Sequence, residues 1–328
     1  MELTTVWFVV VAFFWTGYLV LEGFDFGVGM LAPAVSRTDA ERGTALQTIG
    51  PVWDGNEVWM VVAVGATFAA FPLWYASLLS ALYLPFLFLL LALIVRGVAL
   101  EFRGKRDDAR WRRRWGRALV VGSVLPALVW GAVLATLVAG LPVDAHGDYT
   151  GSAFAVFGPA GALGAVAVLA LCLLHGAVFL ALRSGEPLRT RASTLARRFW
   201  PLALLAVAAF LVWAQYMRGD AVTLATAAAA LLALVGALAA LAHGREGWAF
   251  AGTAGAIALT VVTVFVALYP DVLPSTVDPR WSLTVQGAAA SPYALGTMSV
   301  VAAVFAPLVL LYQAWSYWVF RKRVLVPG

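Results

Sequence analysis

The sequence is poor in charged residues. Only 12% of its 328 residues are Asp, Glu, Lys or Arg, whereas a soluble domain carries about 25%. So few charges cannot cover the surface of a soluble protein of this size. Hydrophobic residues make up 62% of the chain and the mean hydropathy is +0.89, so lipid must be the solvent for most of it.

Cysteine and histidine are also scarce. The single cysteine, Cys172, excludes an internal disulfide and a cysteine-based metal cluster within one chain. The three histidines, His146, His175 and His243, lie at different predicted depths, and no two share a helix face. The sequence therefore predicts no haem or metal ligand pair within this chain, and His175 is more typical of a packed, hydrogen-bonded core residue.

The sequence contains no motif typical of the active sites of soluble enzymes and no pattern typical of nucleic-acid binding. The sequence has no Gly-rich phosphate loop in a strand–helix context, no nucleophile elbow and no HExxH motif. The net charge is +5, but the basic residues cluster in short loops beside apolar runs. This pattern is typical of membrane topology and not of a nucleic-acid surface.

Long apolar runs recur along the chain. A spanning helix needs about 20 apolar residues, and the runs predict an all-α polytopic membrane protein with one membrane domain, residues 1–328. The nine predicted spans are Thr4–Leu21 (which can continue to Leu31), Val52–Phe71, Leu73–Ala99, Ala118–Ala139, Phe154–Leu182, Trp200–Met217, Ala221–Ala242, Trp248–Tyr269 and Tyr293–Phe320. The segment Ser36–Gly50 is predicted to be a polar loop.

The basic residues predict the orientation. They concentrate in residues 101–117, 183–199 and 321–323, whereas the loop 141–152 has no Lys or Arg. With nine spans and the amino terminus outside, all three basic segments and the carboxyl terminus fall on the cytoplasmic side. This topology also places the acidic residues described next near the cytoplasmic ends of their helices, where they can face water.

Two acidic pairs lie within apolar segments. Glu22 and Asp25 are three residues apart, and so are Asp54 and Glu57, so each pair shares one helix face. A carboxylate at the centre of a spanning helix costs about 2.5–3.5 kcal/mol on insertion scales. Ordinary helix packing does not repay this cost, so the acids indicate a function.

A proton relay is the functional hypothesis. Asp54 can take a proton from water at the membrane surface, and Asp25, between two glycines, can support it. The structural alternative is that Asp54 caps its helix. Arg96 must find an acid if it is buried, with Asp54 or Asp25 as expected partners, or it can extend to the surface. Glu22 is more simply interpreted as a charged residue at the membrane interface that has no functional role.

Several motifs resemble subunit II of the cytochrome bd quinol oxidases. The longest are LEGFDFGVGML at residues 21–31 and WDGNEVW at residues 53–59. Shorter matches are FAAFP at 68–72, Arg96, Glu101, Arg103, RWR at 110–112, YP at 269–270, LPS at 273–275, SLT at 282–284 and LLY at 310–312. Residues 155–265 match in hydropathy more than in residues. The family often has Asp in place of Glu22 and Gln in place of Glu57.

The resemblance implies a fold and a role. It implies two four-helix bundles plus one peripheral helix, in the bacterial cytoplasmic membrane, as a subunit of a quinol:oxygen oxidoreductase. Two haems b, one haem d and the quinol site are expected in the partner, subunit I, so this chain alone is not expected to be catalytic. Some members hold a structural quinone, and lipids and small accessory subunits are further expected partners.

The resemblance also implies a proton path through the position of Asp54. The predicted site is therefore Asp54 as main acid, Asp25 as support, and Glu57 and Arg96 as tuning residues. Two alternatives stay open at this point. One is a purely structural partner subunit, and the other is a proton-coupled secondary transporter with discontinuous helices near the midplane.

Overall fold

The computed structural model describes residues 2–152 and 154–326 and is almost wholly helical. The α-helices are α1 Leu3–Val35, α2 Asp39–Gln47, α3 Trp53–Ala70, α4 Pro72–Ala81, α5 Tyr83–Phe102, α6 Ala109–Ala139, α7 Pro159–Arg183, α8 Leu188–Arg218, α9 Ala221–Ala242, α10 Glu246–Leu268 and α11 Pro292–Val319. Two short strands, β1 Asp271–Leu273 and β2 Leu283–Thr284, pair antiparallel.

The helices confirm the predicted class of multi-span membrane protein. Eight of those described are long and apolar enough to cross a membrane, and α3 and α4 make a ninth span if this pair is counted as one. The pair is bent by 119° between Ala70 and Pro72, where proline begins the second helix because it cannot continue the first. The span predicted over Leu73–Ala99 is not continuous, because α4 ends at Ala81 and α5 begins at Tyr83.

Several helices extend beyond the apolar runs. α6 begins at Ala109 and α8 at Leu188, about three turns before the predicted starts. The added residues are mainly arginine, alanine and leucine, which are good helix formers, so the helices continue outside the lipid. α1 has 33 residues, about 50 Å of helix, and therefore exceeds the ~30 Å hydrocarbon core.

The helices pack as two groups with one outlying helix. α1, α3, α5 and α6 form the first group, α7 to α10 form the second, and α1 and α6 both contact α7. Glycines bring α1 and α7 together, since a Cβ added to Gly27 would lie 2.0 Å from the Cys172 carbonyl oxygen. α11 contacts only α1 and α3 appreciably and buries only Leu295. The two bundles and the peripheral helix are thereby confirmed.

The basic segments meet at one end of the helices, here called the basic end. Arg103 pairs with Asp39 of α2, and Arg191 Nη1 lies 2.7 Å from Glu41 Oε2. The segment predicted as a loop thus contains α2, which links α5 of the first group to α8 of the second. The side of the membrane on which the basic end lies stays a prediction.

Hydrogen bonds hold α2 in place. The Thr38 side chain accepts from the Glu41 backbone N–H and caps the helix. The Arg191 guanidinium and the Arg37 backbone N–H hold the pKa of the Glu41 carboxyl below its ordinary value. α2 is therefore fixed both by its own cap and by an arginine from the second group.

Candidate functional site

The buried charges of the first group gather between α1, α3 and α5. Glu22 and Asp25 of α1 and Arg96 of α5 have no exposed surface. Gly23 and Gly27 of α1 face α7, so the acids of the same motif lie on the other sides of the helix. The alternation of glycine and acid therefore lets α1 pack closely on one side and present carboxylates elsewhere.

Arg96 joins two carboxylates. Its Nη1 atom lies 3.0 Å from Glu22 Oε2 and 3.0 Å from Glu57 Oε1. Its Cζ atom also lies 5.0 Å from the centre of the Phe26 ring, a cation–π distance. Glu57 is the member nearest the surface, because 24% of its side chain is exposed.

The prediction for the partner of Arg96 was wrong. Its ion pairs are with Glu22 and Glu57, not with Asp54 or Asp25, and it does not extend to the surface, because its exposed fraction is 0%. Glu22, to which no task was assigned, is fully buried in this pair. Glu22 and Asp25 also do not face water as expected, since both are enclosed by helices of this chain.

Asp25 is held by a second polar group centred on Asn56. The Asn56 Nδ2 atom donates to Asp25 Oδ2 at 2.7 Å. The Asn56 Oδ1 atom in turn accepts from Tyr317 OH at 2.8 Å and from Gln313 Nε2 at 3.1 Å. One buried amide therefore connects Asp25 of α1 to the peripheral helix α11.

Asp54 lies outside this buried cluster. It is exposed on the first turn of α3, on the same face as the exposed residues Val58 and Val61. Val52 is the N-cap residue of α3, so Asp54 does not cap the helix, although its charge is favourable in the first turn. Of the four predicted site residues, the structure brings together Asp25, Glu57 and Arg96, with Asp54 one turn away on the surface.

The cluster is not fully hydrogen-bonded. Among the described residues, Glu22 Oε1, Asp25 Oδ1, and Arg96 Nε and Nη2 are buried without a hydrogen-bond partner, while Glu22 Oε2 has the ion pair with Arg96 Nη1. Such groups are rare in native interiors and mark places where stability is not the main constraint. Glu22 Oε1 and Asp25 Oδ1 are therefore the buried carboxylate oxygens of the cluster that have no protein partner in the described chain.

Sequence reasoning missed Asn56, Gln313 and Tyr317. A signal was present, because Gln313 and Tyr317 are four residues apart on an otherwise apolar segment and so share a helix face. Asn56 lies between Asp54 and Glu57 in the sequence. The two acids indicate a site by their charge, whereas a single amide between them does not. Only the fold shows that these three residues meet.

The three histidines lie apart from one another, and two of them contact acceptor groups of the protein. His175 is buried, with Nδ1 2.6 Å from Thr253 Oγ1 and Nε2 3.2 Å from the Val20 carbonyl oxygen, so both ring nitrogens are occupied. His146 is exposed in a loop, and His243 Nδ1 lies 2.8 Å from the Ala239 carbonyl oxygen at the end of α9. The described residues also contain no group of three or more His, Cys, Asp or Glu arranged to hold a metal ion.

Comparisons with known proteins agree along the whole chain. Residues 3–320 match the family described as Cytochrome bd terminal oxidase subunit II. The chain is 39% identical to the Cytochrome bd ubiquinol oxidase subunit 2 of Bacillus subtilis (98% of this chain, 97% of the relative). It is 32% identical to the Cytochrome bd-I ubiquinol oxidase subunit 2 of Escherichia coli K12 (97% and 94%).

The fold agrees as well. A chain of the solved bd oxidase from Geobacillus thermodenitrificans is similar with a TM-score of 0.78 at 19% identity, over 97% of each chain. The family match over residues 3–320 and two relatives that are 39% and 32% identical over nearly their full length give the assignment. This chain belongs to the cytochrome bd terminal oxidase subunit II family and is a membrane-embedded component of an oxidoreductase complex.

Proposed function

We propose that this subunit supports a haem-bearing subunit I in a quinol:oxygen oxidoreductase of the bacterial cytoplasmic membrane, and that it supplies a proton path starting at Asp54. Relatives named as ubiquinol oxidase subunits support the substrate class. The haems of the partner would supply the redox chemistry. The structural quinone and the small accessory subunits stay predictions.

One observation carries the proton path. Glu57 is partly exposed, yet it shares one nitrogen of Arg96 with the fully buried Glu22, at 3.0 Å on each side. Glu22 is therefore connected to the partly exposed Glu57 through a single guanidinium group. Asp54 lies three residues before Glu57 on the exposed side of α3, where it can collect a proton from water.

The residues have separate tasks in this path. Asp54 takes up the proton, and Glu57 receives it one helical turn further in. A proton on Glu57 weakens its attraction to Arg96, which then pairs with Glu22 alone. Asp25 accepts a hydrogen bond from Asn56 at Oδ2, so its Oδ1 atom, which has no hydrogen-bond partner, is the atom that would receive the proton.

Replacing Asp54 with Asn tests the path, because this change keeps the shape and removes the titrating group. We expect quinol-dependent oxygen consumption per haem d to fall by at least about tenfold, since a positioned proton-transfer group contributes about 10²–10⁴-fold. The matched control is Glu101→Gln, another exposed carboxylate near the basic end. A turnover equal to that of the parent, with full haem content, would show that Asp54 is no relay.

A purely structural role is the second candidate. The fully buried ion pair of Glu22 and Arg96 favours it, because such a pair can fix the arrangement of helices that a partner recognises. It predicts that Asp54→Asn lowers the haem content of the purified complex and leaves turnover per haem unchanged. Haem absorbance and oxygen consumption, measured on one sample, therefore separate the two candidates.

A further inference from the structure

Two arginines at the basic end face each other across a glycine. Arg42 of α2 and Arg103, the residue after α5, both approach Gly116 of α6. A Cβ added to Gly116 would lie 4.0 Å from Arg42 Nη1 and 4.0 Å from Arg103 Nε, with nothing nearer. The missing side chain therefore leaves a gap between two guanidinium groups.

Positive charge around this gap exceeds negative charge. Asp39 pairs with both Arg103 and Arg112, and Arg112 also pairs with the exposed Asp107. Arg42 has no ion pair within the described residues, so three guanidinium groups face two carboxylates. Burial lowers the pKa of Arg103, Asp39 opposes this effect, and the charges of Arg42 and Arg112 lower the pKa further. Arg42 is therefore the guanidinium group of this cluster that has no protein carboxylate among the described residues.

Two arginine side chains of this cluster also have hydrogen-bond donors without an acceptor in the part of the chain that the structure describes. The Nε atoms of Arg42 and Arg103 are both buried and have no hydrogen-bond partner in the described chain, and Arg103 is only 6% exposed. A buried guanidinium N–H without an acceptor is costly. The side chains of Asp39 and Arg112, which belong to the same cluster, are 45% and 28% exposed, so the cluster lies at the surface of this chain.

The surroundings favour a lipid as the source of the anion. The Trp111 and Trp115 rings lie 5.6 Å apart, the Phe102 ring lies 5.9 Å from Trp115, and Trp111 Nε1 donates to the Phe102 carbonyl oxygen at 2.8 Å. Tryptophans beside basic residues are typical of the headgroup level of a bilayer. Further from the basic end, Val98 and Val121 are exposed and can contact acyl chains.

We propose that Arg42 and Arg103 bind the phosphate of one anionic phospholipid in the gap beside Gly116. A phosphate presents several acceptor oxygens and suits the planar donor fork of arginine. Basic pockets between membrane helices are known to recognise anionic headgroups in this way. The site lies at the junction of α2, α5 and α6, away from the acids of the proposed proton path.

The test uses the purified oxidase complex in nanodiscs that contain phosphatidylcholine with or without phosphatidylglycerol. Native mass spectrometry counts the phosphatidylglycerol that stays bound after release from the nanodisc. We expect one molecule on the parent complex, and at least about a tenfold lower occupancy for Arg42→Gln and for Gly116→Leu. Gly116→Leu keeps every charge and only fills the gap.

One matched control and one graded variant accompany these changes. Arg114→Gln removes an exposed arginine of the same segment and should keep the lipid. Gly116→Ala adds only one carbon atom to the gap, so its lipid occupancy should lie between that of the parent and that of Gly116→Leu. Equal occupancy in Gly116→Leu and the parent would overturn the proposal. So would a rise in melting temperature with inorganic phosphate equal to that with phosphatidylglycerol, because the site would then take a soluble anion.

Discussion

The two helix groups have similar hydropathy but treat buried polar residues differently. In α7 and α10 of the second group, buried Thr253, Thr260 and Thr263 donate to carbonyl oxygens of their own helix at 2.7–3.0 Å, and His175 contacts Thr253. In the first group, Glu22, Asp25 and Arg96 are buried with atoms that lack hydrogen-bond partners in the described chain. Away from the basic end, where Glu246 pairs with Arg189, the buried polar residues of the second group named here are neutral and hydrogen-bonded, whereas those of the first group are charged.

The largest loss of stability is expected from replacing Arg96, because Arg96 is the counter-charge of the buried acids of the first group. Arg96→Met leaves Glu22 buried without a counter-charge, which costs about 3–5 kcal/mol. We expect a lower melting temperature and a lower yield of the purified complex. Adding Glu22→Gln should restore part of the loss, whereas exposed Arg114→Met should change neither quantity. An unchanged melting temperature in Arg96→Met would contradict the pairing.

A medium effect is expected at Tyr317. Tyr317→Phe removes a hydrogen bond to Asn56 Oδ1 and should cost about 1 kcal/mol, while Gln313 still holds the amide. Because Asn56 orients Asp25, oxygen consumption per haem should also fall a few-fold, by a cause distinct from stability. Tyr312→Phe is the control, since Tyr312 is 65% exposed. If both variants behave alike, Tyr317 does not act on Asp25.

The smallest effect should come from the second group. Thr260→Val removes a hydroxyl that donates only to the Ala256 carbonyl oxygen of its own helix, where the helix already provides a backbone partner. We expect the free energy of unfolding to change by no more than about 0.5–1 kcal/mol and turnover to stay at the parental rate. A large loss of turnover in Thr260→Val would mean that the second group is not a passive scaffold.

The spanning helices could be predicted because lipid imposes a length and a composition on each of them. The same rule could not find the ends of α6 and α8, because arginine-rich turns continue a helix after the apolar run stops. It also missed α2, although Thr38 followed by Glu41 is a capping signal. Hydropathy describes the solvent of a segment and not its backbone conformation.

The site could be predicted in its residue types but not in its pairings. Carboxylates in an apolar segment identify Asp25 and Glu57 as unusual from sequence alone. The choice of Glu22 as the partner of Arg96 depends on how α1, α3 and α5 rotate about their axes, which the sequence pattern does not determine. The same rotation places Asp54 outside the cluster and Asn56 inside it.

The position of α11 at the end of the chain affects when the hydrogen bonds around Asn56 can form. α11 follows the other membrane helices in the chain, so translation produces it last. Until then, Asn56 Oδ1 lacks the donors of Gln313 and Tyr317. The amide that orients Asp25 therefore acquires its last protein partners from the final membrane helix to be synthesised, and the hydrogen-bonded group around Asn56 is complete only once α11 is in place.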